Sequence, residues 1–274
     1  MVNNMKKSLN VKYAIYVKEY ERSYKIKDYI IQRLGKDNID YDNPKYVFSI
    51  GGDGTYLKAM HNYIYSDNIQ DIVFININTG NLGFYSNLDE EDIDNLMDNI
   101  IDHQEYVYHD LIEFRINDED KARYCMNEIC LYSFPEAVKL DCYVDGNLFE
   151  SFCGSGLVVS SPTGSTGLNK SLNGAIIDER LKTLQITEVA GIKNKFYKTL
   201  GVSTVLDSKR VIDLIISPES SVKISYDNID FHSGSEENFE IKKINVRYSD
   251  IKIKNLKYKH KDFFERVKKS FLEK

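Results

Sequence analysis

The sequence predicts an α/β N-terminal domain followed by a β-rich, antiparallel, sandwich-like C-terminal domain. Three observations carry that expectation. Through roughly the first hundred residues, short apolar runs alternate with segments of helical spacing, as in α/β units built on a parallel sheet. From about Tyr106 the spacing changes to the every-other-residue alternation of half-buried strands. The chain's 274 residues, 42% hydrophobic and 12% aromatic, can fill two modest cores. The first domain is expected over 1–104 together with a returning C-terminal helix at 258–274, and the second over 105–257.

In order, Val11 to Val17 reads as the first strand. Ile26, Tyr29, Ile30 and Leu34 then share one helical face, and Gly35 follows where a left-handed cap would end that helix. Tyr46 to Ile50 is a compact strand that stops at Gly51-Gly52-Asp53-Gly54-Thr55, after which Leu57, Met60 and Ile64 resume helical spacing. Ile72 to Ile77 is a further buried strand, followed by a glycine-containing loop and a helix with Ile93, Leu96, Met97 and Ile100 on one face.

In the second half, Ile112, Phe114 and Ile116 alternate with Glu113 and Arg115 as on a strand with one solvated face. Asp145-Gly146 signals a hairpin turn. Strands are expected at Leu157 to Ser160, Arg210 to Ser217, Val222 to Tyr226, Ile244 to Tyr248 and Ile251 to Leu256. Phe263, Phe264, Val267 and Phe271 form the apolar stripe of a last helix, with Lys268 and Lys269 towards its C-terminal end.

Composition narrows the function. With 36 basic against 42 acidic side chains, a net charge of −6, the chain is not a broadly cationic nucleic-acid binder. No apolar run approaches the roughly 18 residues of a membrane span, and the segment after Met1 is not an apolar signal core, so a cytoplasmic protein without membrane partners is expected. Cys125, Cys130, Cys142 and Cys153 form no C-x-x-C pair and read as buried thiols. His61, His103, His109, His232 and His260 show no metal-binding spacing, so no metal held by protein ligands is expected.

Three segments could carry chemistry. In Gly51-Gly52-Asp53-Gly54-Thr55, bare backbone lets a ligand approach and its N–H groups can bind phosphate oxygens. A carboxylate among phosphates needs either a screening metal ion or the task of taking a proton from an attacking hydroxyl. The alternative is a simple turn with Asp53 capping the next helix. Three glycines around one carboxylate at the C-terminal edge of a parallel strand favour the ligand reading.

Ser160-Ser161-Pro162-Thr163-Gly164-Ser165-Thr166-Gly167 suits a nucleotide cradle or, taken alone, an ordinary loop, and it lacks the glycine spacing of a Walker A motif. Asn127-Glu128 offers an amide for an adenine edge and a carboxylate for ribose hydroxyls, but in isolation reads as a solvent-facing pair on an edge strand.

These three motifs, in this order and at these separations, resemble the NAD kinase family. Thr79-Gly80-Asn81-Leu82-Gly83-Phe84, Asn169-Lys170-Ser171-Leu172-Asn173-Gly174-Ala175 and Thr187-Glu188-Val189-Ala190 are also similar to family segments, so the resemblance covers all but the extreme N-terminus. It implies the same two-domain architecture and a homo-oligomer, a tetramer or dimer, in which one active site borrows residues from a neighbour.

By resemblance the activity is transfer of a phosphoryl group from ATP, with Mg²⁺ or another divalent cation, to the adenosine 2′-hydroxyl of NAD, giving NADP. Asp53 is then the base, and Gly51, Gly52, Gly54 and Thr55 accommodate the phosphate donor. The NAD site implied comprises Asp53, Gly54, Phe84, Tyr85, Asn127, Glu128, Ser155, Thr163, Thr166, Gly167, Leu168, Asn169, Lys170, Ser171, Ala190 and Ile192.

Three positions depart from the family pattern. Gly154-Ser155-Gly156 replaces Gly-Asp-Gly, Gly167-Leu168 replaces an alanine and an aromatic, and Asp178-Glu179 stands where His-Pro is usual. Alternatives are a dinucleotide-binding sensor without turnover, which would need no base, and a lipid or sugar kinase sharing the glycine loop, against which the other two motifs argue.

Overall fold

The computed structural model describes residues 11–80, 83–86, 88–100, 102, 105–117, 119–195, 197–231, 239–258 and 262–273. The chain divides into two compact units, residues 1–109 with 252–274, and residues 110–251.

The first unit opens with β1 (Tyr13–Val17), α1 (Glu21–Leu34), β2 (Tyr46–Gly51), α2 (Asp53–His61), β3 (Val73–Asn78) and α3 (Ile93–Asn99). β1, β2 and β3 are parallel neighbours, as the alternation of apolar runs and helices predicts. One sheet face buries Ile15, Phe48, Ile50, Ile75 and Ile77 against Ile26, Ile30 and Leu34 of α1 and Leu96 and Met97 of α3. On the other face, Tyr56 of α2 meets Phe74 of β3 edge-on. Arg33 on α1 pairs with Asp98 on α3. Gly35 has the expected positive φ, but φ 87° with ψ 134° lies outside the left-handed helical region; its N–H closes on the Ile31 carbonyl instead. Ile64 lies beyond the end of α2 yet is buried.

The second unit is β-rich. Its strands are β4 (Tyr106–Ile116, which enters from the first unit), β5 (Arg123–Cys125), β6 (Glu128–Tyr132), β7 (Val138–Val144), β8 (Asn147–Gly154), β9 (Gly156–Ser160), β10 (Thr183–Val189), β11 (Thr204–Asp207), β12 (Ile212–Ile216), β13 (Lys223–Tyr226), β14 (Ile229–Asp230) and β15 (Lys243–Leu256). A short helix, α4 (Leu168–Ser171), follows the turn after β9. One antiparallel sheet runs β11-β10-β9-β6-β13-β14. A second set pairs β15, β12, β7 and β8 in that order, all antiparallel. Side chains from both sets share one core that includes Phe114, Leu131, Val159, Leu214 and Val246, the sandwich the sequence predicts.

Asp145 (φ 50°) and Gly146 (φ 76°) make the expected hairpin turn between β7 and β8. The two strands expected at 244–248 and 251–256 are one strand, β15, which continues through Ser249-Asp250 without a turn. Glu113, placed by alternation on a solvated face, is 7% exposed; the guanidinium groups of Arg115 and Arg247 satisfy its carboxylate. All four cysteines are free and buried.

The chain returns to the first unit along the end of β15, where Lys254 and Asn255 pair in parallel with Val73 and Phe74, and ends in α5 (Phe263–Phe271). The Asp262 side chain caps α5 by accepting from the Phe264 and Glu265 amides. The buried face of α5 differs from the expected stripe: Phe263 and Arg266 are buried, while Phe264 is 54% exposed. Residues 1–10, His103, His232, His260 and residue 274 lie outside the described set. Among the described residues, no helix is long and apolar enough to cross a membrane.

The core assignment is tested by truncation. Phe114→Ala empties a fully buried position and is expected to lower unfolding stability by about 3–5 kcal/mol. Phe134→Ala, at a side chain 89% exposed, should stay within about 0.5 kcal/mol in the same urea titration.

Candidate functional site

The glycine loop sits at the C-terminal edge of the parallel sheet. Gly51 closes β2, Gly52 is the N-cap of α2, and Asp53 is the first helical residue. A Cβ on Gly51 would stand 2.3 Å from the Thr55 hydroxyl, so Thr55 folds back over a position that only glycine can fill. Around Gly52 and Gly54 a Cβ would meet nothing within 4 Å, so the loop faces open space.

Asp53 does not cap its own helix. Its carboxylate accepts from the Phe84 amide at 2.9 Å and the Tyr85 amide at 3.2 Å. Gly83 makes that approach possible, since a Cβ there would lie 2.7 Å from Asp53 Oδ1. Burial pushes the Asp53 carboxyl upward, while the two amides and the positive charge of Arg266 on α5 pull it down. Of the family-like segment 79–84, Asn81 and Leu82 lie outside the described residues.

In the second unit the structure brings the other two motifs together. Ser161 and Thr163 donate to the Met126 carbonyl, at 2.5 and 3.1 Å. A Cβ on Gly164 would fall 2.1 Å from the Asn127 carbonyl, so this glycine is what lets the two segments touch. The run after β9 is not an open loop: Thr163–Thr166 is a 3₁₀ turn leading into α4.

Asn127-Glu128 is not a solvent-facing edge pair. Glu128 opens β6, which lies between β9 and β13, and is 5% exposed. Its Oε2 has no hydrogen-bond partner, and a Cβ built on Gly167 would stand 3.7 Å from it. Burial, with the nearby charge of Asp227, pushes the Glu128 carboxyl up to about 8.

Asn169, fully buried, accepts from the Thr187 hydroxyl at 2.6 Å, and Gln185 bonds both the amide and the carbonyl of Ala175, which fastens the 169–175 segment to β10. Lys170 is half-buried, and Ser171 and Leu168 are exposed, Leu168 at 41%. Ser155, Ala190 and Ile192 are placed elsewhere. Antiparallel register sets Glu128 beside Ser160 at one end of β9, and Val189 beside Gly156 at the other. Ser155 donates to the Val189 carbonyl and Ile192 to that of Cys153, so these three residues form a second cluster. The five residues of β9, on the order of 17 Å of strand, separate it from Ser161.

Two further residues escape sequence reasoning. Asp227, 3% exposed, accepts from the Met126 and Asn127 amides at 2.7 Å each and so orients the Asn127-Glu128 pair. Its signal was present: Asp227-Asn228 between two β runs is a hairpin-turn dipeptide, and both residues take positive φ. Arg266 had a weaker signal, a cation three residues after Phe263 and thus on the buried helical face. Among the described residues no three His, Cys, Asp or Glu side chains gather as a metal site.

Residues 4–106 match the ATP-NAD kinase N-terminal domain family, and residues 126–228 match the ATP-NAD kinase C-terminal domain family. The NAD kinase of Lactobacillus gasseri is 36% identical over 241 residues, covering 86% of this chain and 88% of the relative. That of Latilactobacillus sakei is 33% identical over 266 residues, covering 94% and 97%. Yeast NADH kinase complexed with NADH is similar in fold, with a TM-score of 0.80 at 17% identity over 98% of this chain and 90% of that one. An NAD kinase from Archaeoglobus fulgidus in complex with ATP gives 0.73 at 18% identity, over 94% and 99%.

The state of Glu128 has a measurable consequence. Its folded value near 8 lies above its ordinary 4.5. The unfolded chain therefore binds fewer protons between those limits, and stability falls as pH rises through that window. Glu128→Gln removes the titration. In calorimetry of the ligand-free chain, the variant's Tm should gain at least about 3 °C on the parent's between pH 5 and pH 8.5; a constant gap would show that Glu128 is ionised in the fold.

Proposed function

The chain belongs to the NAD kinase family, and on that premise we propose that Asp53 is the general base that moves the γ-phosphoryl group of ATP onto the adenosine 2′-hydroxyl of NAD, giving NADP and ADP. One observation carries the assignment: the Asp53 carboxylate, held by two backbone amides, stands at the opening of a glycine loop with free space before it. In the step, the 2′-hydroxyl proton goes to Asp53, the new oxygen–phosphorus bond forms, and the bond to the ADP oxygen breaks. The loop's bare backbone and the positive end of α2 face the donor phosphates.

Both oxygens of Asp53 already accept amide hydrogens, and no trio of metal ligands occurs among the described residues. This suits a Mg²⁺ ion carried by the phosphate oxygens of ATP rather than by protein carboxylates. Bound there, it neutralises charge on the transferring group.

In the second unit, we assign the adenosine half of NAD to Asn127 and Glu128. The unpartnered, buried Glu128 oxygen supports this, because a ribose or adenine donor would satisfy it. Thr163, Thr166, Gly167, Leu168, Asn169, Lys170 and Ser171 complete that assignment within the second unit; Phe84 and Tyr85, which hold Asp53, are assigned to the dinucleotide on the side of the first unit. At Leu168 the ligand meets an aliphatic chain instead of a ring, so stacking is weaker there.

Ser155, Ala190 and Ile192 lie at the far end of β9, so we assign them to a dinucleotide held by another copy of the chain, in a homodimer or homotetramer. Exposed Ile192, Leu200 and Val202 near that cluster support burial against a second subunit. A cytoplasmic setting is part of this reading, and four free thiols fit a reducing compartment.

The test is formation of NADP from NAD and Mg²⁺-ATP, followed with an NADP-specific dehydrogenase. Asp53→Ala should lower kcat by about 10²–10⁴-fold while NAD binding stays within about threefold of the parent. Asn127→Ala should weaken NAD binding instead. Near-normal turnover by Asp53→Ala would remove Asp53 as the base.

A further inference from the structure

Of the segments similar to the family, Thr187-Glu188-Val189-Ala190 contributes a carboxylate that the reaction assigned above leaves unused. Glu188 extends the inward row of β10: Leu184 and Ile186 lie in the sandwich core, and alternation puts residue 188 on the same face. Glu150 of β8 precedes the core residue Phe152 by two positions and pairs in register with Cys142, also in the core. Two acids, one from each sheet, thus stand on the inner faces of an apolar sandwich, and Glu150 is 8% exposed.

The pair holds the segment that follows β10. The Leu200 amide donates to Glu150 Oε1 at 2.9 Å, and the next amide, that of Gly201, donates to Glu188 Oε1 at 2.7 Å. Consecutive amides bring the two carboxyl groups together, and they are hydrogen-bonded to each other. The fit is close, since a Cβ on Gly191 would stand 2.1 Å from Glu188 Oε2. The start of the same segment is tied to β8 by the Ile192 amide, which donates to the Cys153 carbonyl at 2.7 Å, and a bridge between Lys193 and Lys198 closes the hairpin.

A hydrogen bond between two carboxyl groups requires a proton, and two buried carboxylates in contact do not both ionise. Burial pushes the Glu150 carboxyl up, the Leu200 amide pulls it down, and the Glu188 charge pushes it up again. Among the described residues no cation acts on Glu150. Cys142 of β7 faces it, with a thiol pushed up to about 12 by burial and by that charge. Lys139 and Asp141 of β7 lie on the opposite face, since Leu140 between them is in the core. β9 sets Leu157 beside Glu188, and Asp207 of β11 pairs with Thr183 at the far end of β10. The hairpin itself carries Tyr197 and three exposed cations, Lys193, Lys195 and Lys198.

We propose that Glu150 and Glu188 are positioning residues for the dinucleotide: sharing one proton, they form a clasp that bonds the Leu200 and Gly201 amides and fixes the 190–202 segment against β8 and β10. The link to NAD rests on the assignment of Ala190 and Ile192 to a dinucleotide held by another copy of the chain. The clasp holds a proton that a solvated glutamate would have lost, so it is closed at low pH and opens as pH rises through the raised Glu150 value.

The experiment is amide hydrogen exchange over residues 199–202 in the full chain, expressed as protection factors from about pH 5 to about pH 9, for the parent, Glu150→Gln, Glu188→Gln and Glu150→Ala. In the parent, protection should fall at least about fivefold towards the alkaline end, the worth of one hydrogen bond. A glutamine amide at 150 donates to Glu188 while its carbonyl accepts from Leu200, with no shared proton needed, so Glu150→Gln should hold protection level; Glu188→Gln should do the same. Glu150→Ala should lose protection at every pH. At about pH 6, KM for NAD should rise at least about fivefold in Glu150→Ala with kcat within about threefold, and return to the parent value in Glu150→Gln.

A parent-like fall of protection with pH in both glutamine variants overturns the shared proton, and unchanged protection in Glu150→Ala overturns the clasp. If Glu150→Ala does not fold, the glutamine variants decide through that slope alone. Lost protection with an unchanged KM for NAD would instead overturn the assignment of Ala190 and Ile192 to the dinucleotide, which separates the two failures.

Discussion

The rest of the first unit is arranged around one requirement, that a carboxylate at the mouth of a glycine loop be partly removed from water and still carry charge. Burial pushes the Asp53 carboxyl upward. Two amides in line with its two oxygens oppose that push, and they come from a segment with no regular structure of its own. Such a segment keeps its geometry only when packed from both sides, which is what the Tyr56–Tyr85 stack and the Phe84 contacts with α5 provide. The return of the chain along β15 to the parallel sheet therefore has a chemical purpose: it delivers the helix that completes the grip.

The second unit answers the opposite requirement. Glu128 opens an interior strand where no donor reaches its Oε2, and it is pushed towards neutrality by burial and by Asp227. Asp227 is fully engaged with the Met126 and Asn127 amides. The second unit thus carries an unsatisfied, buried carboxylate oxygen where β6 begins beside the end of β9. The surrounding framework spends its small residues on close approach: Gly164 against the Asn127 backbone, Gly174 against the buried Asn169 amide.

Much of this was legible in the sequence because it depends on local pattern. The period change near Tyr106, the Asp145-Gly146 turn and the glycines around Asp53 each report a backbone requirement that only a few residue types meet. What was not legible depends on partners distant in sequence. Glu113 reads as solvated by alternation, and only the Arg247 side chain, 134 residues on, explains its burial. Asn127-Glu128 reads as an edge pair because neighbours of β6 come from β9 and β13. Arg266 interrupts an apolar stripe and looks like a solvated helix position until α5 is set against the Phe84 segment.

Set side by side, the two carboxylates stand in different surroundings, as the different roles proposed for them require. Both are largely buried and both are pushed upward. Asp53 has two amide donors and a guanidinium charge that partly offset the upward push of burial. Glu128 has a second carboxylate as its charged neighbour and no donor on Oε2, so nothing opposes the push of burial that raises it to about 8. The two environments are not interchangeable: a base with Glu128's surroundings would already hold its proton at neutral pH. In the proposed reading, environment more than residue type sets the two carboxylates apart.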